Sequence, residues 1–433
     1  MNLETLLDIF DNNGCSRVYV KNLSPNDNSK NQVYLAGSFD ILNVFPINEI
    51  IADSSGKWKK DRFKASVSFS WIQEDSSIYP APNAQLILYP KYPEVRFSGF
   101  LARCHNPPSS LMTQRLEGRL LFLAANKLGK IFGHVSDPNC TITKEFNNLS
   151  ELSQHGVFKV IDVPSSQNSK LLLLKELTRI HDLGWITSKR LSTEGLVIPC
   201  KSSNCGGYTL EAELGITPNG YSEPDYLGWE LKQFGVQNFQ KIYRSVITLM
   251  TPEPNGGIYK EEGVEAFIRK FGYPDLRGRK DRINFGGIHK VGIRHPRTKL
   301  RMELIGFDNS INKIKQTDGR IALIDDYGTE AASWSFTSLI KHWNRKHNQA
   351  CFIPSISLTV PERKYHFGSN IILGEGTDFI FVLNELFKGN IYYDPGIKLE
   401  NASTKPKSKR RSQFRTKSSS LINLYQNHEL IQL

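Results

Sequence analysis

The stretch SEPDYLGWELKQFG, Ser222 to Gly235, carries Glu223, Asp225, Glu230 and Lys232 within ten residues, although it otherwise reads as a short apolar strand. Side chains alternate faces along a strand, so Trp229 and Leu231 form one apolar face while Glu230 and Lys232 share the other. Asp225 falls out of this register. A bend or bulge at Tyr226-Leu227-Gly228 would bring it beside Glu230.

Two carboxylates at the end of a sheet, with a lysine one pleat along, suit a Mg²⁺ ion, which takes one or two acids and completes its octahedron with waters and a phosphate. Such an ion acidifies a bound water and stabilises charge developing on phosphorus oxygens, and Lys232 would orient the nucleophile or stabilise that charge. The D-x4-E-x-K string alone fits an exposed strand with a surface ion pair equally well. The one-sided charge favours the metal reading. So does GGYTLEAELGI upstream, where a helix starting at Tyr208 or Thr209 puts Glu211 in its first turn.

Around this stretch, the chain of 433 residues is long for one core and is expected to form two or three domains. Its 39% hydrophobic and 23% charged residues describe an ordinary soluble protein. No apolar run reaches the length of a membrane span, and MNLETLLDIFDNNG reads as an acidic amphipathic helix rather than a signal peptide. A cytoplasmic location without membrane association is therefore expected. Six scattered cysteines lack a CxxC pair and are read as reduced, mostly buried thiols.

Charge is unevenly placed. The net +12 includes only +2 from residues 1–160, which hold 17 basic and 15 acidic residues. The remaining 38 basic and 28 acidic residues give the rest +10, an excess that points to a polyanion such as nucleic acid. Residues 1–155 read as short strands (RVYVKNL, QVYLAGSF, ASVSFSW, AQLILY, RLLFLAA) separated by polar turns, a β-rich barrel or sandwich. Residues 156–169 read as a linker. From 170 to 433 a leucine-rich helix, the opening stretch, RSVITLM, LRMELIGFD and FIFVLNEL as strands, and helices GVEAFIRKFG and WSFTSLIKHWNRKH predict an α/β or α+β domain with a mixed sheet. KPKSKRRSQFRTK, 405–417, has seven basic residues among thirteen, either a flexible tail or a loop that orders on a phosphate backbone.

In combination, PD at 224–225, ELK at 230–232, the GGYTLEAELGI helix, the IHDLGW helix end, LRMELIGFD and KRRSQFR resemble the MvaI/BcnI family of PD-(D/E)xK restriction endonucleases, relatives of MutH. The resemblance covers about Lys170 to the C-terminus. It implies Asp225 and Glu230 as Mg²⁺ ligands with the Leu231 carbonyl, Lys232 as catalytic lysine and Glu211 as supporting acid. Glu213 and Glu223 do not match and are expected to face solvent. It further implies a monomer that cuts double-stranded DNA at a short GC-rich site of the CC-N-GG type, one strand after the other, and a companion methyltransferase in the host.

Reading bases requires side chains that reach their edges. Candidates are His289, Lys290, Arg294, His295 and Arg297; Lys341, His342, Arg345, Lys346 and His347; and Arg410, Arg411 and Arg415. RVYVKNLSPNDNSKNQVYLAG, 17–37, resembles the start of the EcoRII effector domain, a pseudobarrel that binds a second copy of the target. Lys30, Asn31 and Gln32 on one arm, with Arg96 and Arg103 on another, are its candidate contacts. A structural or protein-interaction module is the alternative for this domain. For the whole chain the alternatives are a strand-nicking repair nuclease of the MutH kind and a non-catalytic sequence-specific DNA-binding protein.

Overall fold

In the N-terminal half, strands Arg17–Asn22, Leu120–Ala125 and Lys130–Ser136 are buried along most of their length, which requires cover on both faces of their sheet. Helices Leu3–Asn12 and Thr141–Asn147 cover one face, where Leu6, Phe10, Ile142 and Phe146 pack on Val18, Val20, Phe122 and Phe132. The other face meets a second sheet, with Phe69 4.9 Å from Phe97 and Trp71 5.9 Å from Phe100, ring centre to ring centre. Trp71 also donates its indole N–H to the Phe100 carbonyl at 2.7 Å, so the large ring is buried with its polar atom satisfied.

The structure, a computed structural model, describes the chain apart from residues 26–30, 38–40, 43, 49, 54–61, 90–93, 127, 151, 203, 218–223 and 317, and apart from the side chains of 52, 164–168, 341–342 and 344–345. It divides into two compact units, Met1–Leu174 and Lys175–Leu433. The first is β-rich as expected, with sheets of seven and five strands. Its strand pairings are antiparallel except that of Lys130–Ser136 with Ser68–Ile72. Residues 156–169 are not a linker: Phe158–Asp162 pairs with Arg17–Asn22 and contributes Phe158 and Ile161 to the interior. The division falls instead inside the helix Pro164–Asp182.

The second unit is mixed α+β. Its largest sheet runs in the order Ile186–Thr187, Lys364–Phe367, Gln349–Leu358, Asn370–Glu375 and Asn427–Gln432. Glu230–Gly235 joins it by parallel pairing with Gln349–Leu358, with Glu230 opposite Ala350 and Leu231 opposite Cys351. A parallel neighbour needs a long crossover, and here it is residues 236–348. That crossover ends in the helix Phe336–His347, capped by Ser335, whose hydroxyl accepts from the Ser338 N–H. The crossover contributes strands to smaller sheets, among them Val246–Met250 beside Phe414–Lys417 and Arg301–Ile305 beside Arg320–Ile324.

Two sequence expectations need correction. FIFVLNEL is a helix, Phe379–Phe387, because Asp378 caps it by accepting the Ile380 N–H at 2.8 Å and its buried residues Phe379, Val382, Leu383 and Leu386 recur at helical spacing. The basic run 405–417 is no flexible tail: Lys407–Lys409 and Phe414–Lys417 are strands. Phe414 anchors it, fully buried against Trp334 and Tyr393. The thiol reading is also corrected, since Cys200 and Cys205 form a disulfide, their Cα atoms 5.7 Å apart and within disulfide reach. Cys15, Cys104, Cys140 and Cys351 are free. Among the described residues no helix is long and apolar enough to cross a membrane.

Candidate active site

The bend expected at Tyr226-Leu227-Gly228 is a two-residue reverse turn. The Tyr226 N–H donates to the Trp229 carbonyl at 3.0 Å, and the Trp229 N–H donates back to Tyr226 at 2.8 Å. Leu227 and Gly228 both lie in the left-handed region, φ +47° and +92°, as hairpin turns whose twist matches the strands require. Glycine adopts this freely, whereas leucine does so under strain. Trp229 is fully buried and fixes the far side of the turn. One residue outward, Asp225 faces Glu230, and its Oδ2 accepts the Leu231 N–H at 2.9 Å.

Glu230 is the most deeply buried acid of the group, with 2% of its side chain exposed. Its Oε1 accepts a short hydrogen bond from Lys232 Nζ and lies 3.9 Å from Lys346 Nζ. Its Oε2 is buried with no hydrogen-bond partner among the described residues. Glu211 reaches the same place from the helix Cys205–Glu213. That helix begins at Cys205, not at Tyr208 or Thr209, so Glu211 lies in its last turns rather than its first. Burial first, then the charges of Asp225 and Glu230, push the Glu211 carboxyl up to about 7. Burial and Glu230 push Asp225 up to about 6, against the Leu231 hydrogen bond and the two lysines, which favour its charge.

The helix is held from both ends. Gly206 lets it approach the strand Glu230–Gly235, because a Cβ there would run into the Gln233 amide. Gln233 is itself fixed by donating to Ser355 Oγ at 2.7 Å. At the other end Lys189 pairs with Glu213 at 2.6 Å, and Arg179 donates to the Glu213 carbonyl at 2.8 Å. Glu213 is therefore a half-buried anchor, not the solvent-facing acid expected. Glu223 lies outside the described residues.

These groups suit a divalent cation. Burial and neighbouring carboxylates raise the pKa of Glu211 and Asp225, a sign of missing positive charge. Glu230 Oε2, without a hydrogen-bond partner among the described residues, is a buried oxygen of the hard type that Mg²⁺ prefers. Among the described residues no three carboxylate, imidazole or thiol groups form a complete metal cage. Mg²⁺ asks for less, since waters and substrate oxygens fill most of its positions.

The basic candidates separate by burial. His289 is corrected: it is fully buried, stacked between Phe285 and His295, and bonded through its ring nitrogens to the Gly287 carbonyl and Thr298 Oγ1. Burial and His295 push it down to about 3, so it is a neutral packing residue unable to meet a base edge. His295 is buried beside it. His347 is corrected likewise, being buried and stacked on Trp343 at 4.0 Å.

Arg294 is exposed but clamped on Asp326 by contacts of 2.6–2.9 Å, and Arg415 pairs with Asp394 at 2.6 Å. Arg297 is exposed above the Tyr273 ring, Lys290 lies over Tyr392, and Arg410 and Arg411 are exposed. In the N-terminal unit Arg96 donates to Gln32 Oε1 at 3.4 Å and pairs with Glu94, while Asn31 and Arg103 are exposed. Lys30 and the side chains of Lys341, His342 and Arg345 lie outside the described residues. Lys346, read from sequence as a base contact, stands instead beside Glu230; only its spacing ahead of the strand paired with Glu230 could have signalled this.

The sequence profile of the MvaI/BcnI restriction endonuclease family matches residues 174–425. The chain belongs to that family. It is a type II site-specific deoxyribonuclease, a phosphodiester hydrolase. No curated protein matches the chain. Among solved structures it is similar to the restriction endonuclease MvaI in complex with its cognate DNA substrate, at 19% identity and a TM-score of 0.45, over 60% of this chain and 97% of that one. It is also similar to MvaI in the absence of DNA, at 18% identity and a TM-score of 0.34, over 61% and 97%.

Raised carboxyl pKa values mean that the folded state keeps protons which the unfolded chain has released by about pH 5. Metal-free protein should therefore lose stability as pH rises from about 5 to 8, and Glu211→Gln should flatten that slope. Thermal melts in EDTA across this range check it, and parallel slopes for both proteins would refute it. Leu227→Asn should relieve the turn and stabilise the fold by about 1 kcal/mol, seen as a raised melting temperature.

Proposed function

We propose that this endonuclease is Mg²⁺-dependent and that Asp225, Glu230, Lys232 and Glu211 carry its chemistry. The observation behind this reading is the hairpin that sets Asp225 against Glu230 and Leu231, with Lys232 on the same carboxylate. Asp225, Glu230 and the Leu231 carbonyl would hold the ion. A bound Mg²⁺ supplies Lewis-acid stabilisation of the phosphate and a water acidified for attack. Lys232 orients that water or stabilises the charge gathering on the phosphoryl oxygens. Glu211, with its carboxyl up to about 7, holds a proton near neutrality for exchange with a water.

The substrate is proposed to be double-stranded DNA with a short GC-rich site of the CC-N-GG type, cut by a monomer in a host that protects its own sites with a methyltransferase. Exposed Arg297, Arg410 and Arg411 are its proposed contacts, with Lys290, Arg294 and Arg415. The N-terminal unit is proposed to be an effector module that binds a second copy of the site. In support, it is compact in itself, and Arg96 and Gln32 of its two arms meet.

Asp225→Ala and Lys232→Ala should each abolish cleavage while leaving specific DNA binding, measured by mobility shift in Ca²⁺, within about twofold. Undiminished cutting by both variants would end the assignment. For the effector module, the full-length enzyme should cut DNA with two sites faster than DNA with one, and Arg96→Ala with Arg103→Ala should erase the difference. Equal rates on both substrates would show that the N-terminal unit has another task.

A further inference from the structure

Lys346 has no part in the chemistry proposed above, yet the topology delivers it to the side of Glu230. The helix Phe336–His347 buries Leu339, Trp343 and His347 along one face. It runs almost directly into the strand Gln349–Leu358, whose Ala350 is the register partner of Glu230. The last turn of the helix therefore overhangs the first residue of the catalytic strand. Lys346 leaves that turn with 24% of its side chain exposed and its Nζ 3.9 Å from Glu230 Oε1. The negative end of the helix dipole favours a cation at that position.

Two lysines thus share one oxygen of one buried carboxylate, while the other oxygen has no hydrogen-bond partner among the described residues. Lys232 holds the short bond, so Lys346 is redundant in the resting arrangement. It ceases to be redundant during the reaction. Lys232 cannot both pair with Glu230 Oε1 and attend a phosphate, and a buried carboxylate oxygen that loses its ammonium is destabilised. A second cation on the same oxygen removes the conflict.

We propose that Lys346 is a positioning residue that takes over the pairing with Glu230 Oε1 when Lys232 turns to the scissile phosphate. The inference rests on the proposed roles of Glu230 and Lys232. It goes beyond them by giving the lysine-to-phosphate movement a counter-charge held in reserve on a separate element. The exchange moves no proton and breaks no covalent bond: one ammonium replaces another on Oε1. Glu230 Oε2 takes neither lysine, so the shared use of Oε1 leaves it for the proposed ion.

The test compares Lys346→Met and Lys346→Arg in the full-length enzyme. Single-turnover cleavage at saturating enzyme reports the chemical step, and DNA affinity in EDTA reports binding. Lys346→Met should slow the saturated rate by roughly 10–100-fold, the range for removing a group that supports a metal ligand, with affinity within about twofold of wild type. Lys346→Arg, which keeps the charge, should restore most of the rate. Lys346→Gln gives the same readout should the methionine variant melt early.

An unchanged saturated rate with weakened binding and a shallower salt dependence would make Lys346 an ordinary phosphate contact and overturn the proposal. So would a rate within roughly threefold of wild type, the scatter expected of a neutral surface change. Glu230→Gln and Lys232→Ala, run alongside, separate the failures. If these two are dead and Lys346→Met is fully active, only this inference falls; if they remain active, the site assignment itself fails.

Discussion

A carboxylate with 2% of its surface in water is the constraint around which the catalytic unit is arranged. An isolated charge at such depth is costly enough that the site must supply cations, exclude the charge by protonation, or bind a metal. The chain combines these responses. Two lysines from different elements meet Glu230 Oε1, and the neighbouring acids Glu211 and Asp225 are shifted toward their neutral forms. One oxygen is left without a hydrogen-bond partner among the described residues. A purely structural acid would have had that last valence filled, as in Glu385, which is equally buried yet meets Lys388, Asn390 and Asn423.

The turn that delivers Asp225 is the second requirement. A strand alone would have sent Asp225 and Glu230 to opposite faces, since Glu230 stands five positions, an odd number, after Asp225. The reversal at Leu227-Gly228 folds the chain back on itself, and the Leu231 N–H then holds the aspartate. Leucine in the left-handed region is an expense that an ordinary hairpin avoids with asparagine or glycine. Strain of this kind gathers where geometry matters more than stability.

Much of this was legible in the sequence, and the exceptions have physical causes. The alternation in GWELKQ announced the strand and its charged face, and Tyr226-Leu227-Gly228 announced the bend. What periodicity could not supply was depth and long-range company. His289 and His347 look like surface donors among cations, but ring stacking on Phe285 and Trp343 takes them inside. FIFVLNEL is apolar on nearly every side, so its period is invisible and only the Asp378 cap betrays a helix. Lys346 sits more than a hundred residues from Lys232 in the chain, and only the parallel register of Glu230 with Ala350 brings them together. Glu213 was misjudged for the same reason, since its partners Lys189 and Arg179 come from preceding elements.

The parallel pairing of Glu230–Gly235 with Gln349–Leu358 divides the chain in a way that bears on how such an enzyme diverges. Residues 236–348 leave and re-enter between two adjacent strands whose register is set by the sheet, not by the excursion. Length and sequence can drift within that excursion while Glu230 stays opposite Ala350. Descendants can therefore try new surfaces against an unaltered carboxylate cluster, and the exception is the seam itself. Around Lys346 the roaming segment meets the Glu230 carboxylate, so that final helical turn is where the excursion is least free to be rewritten.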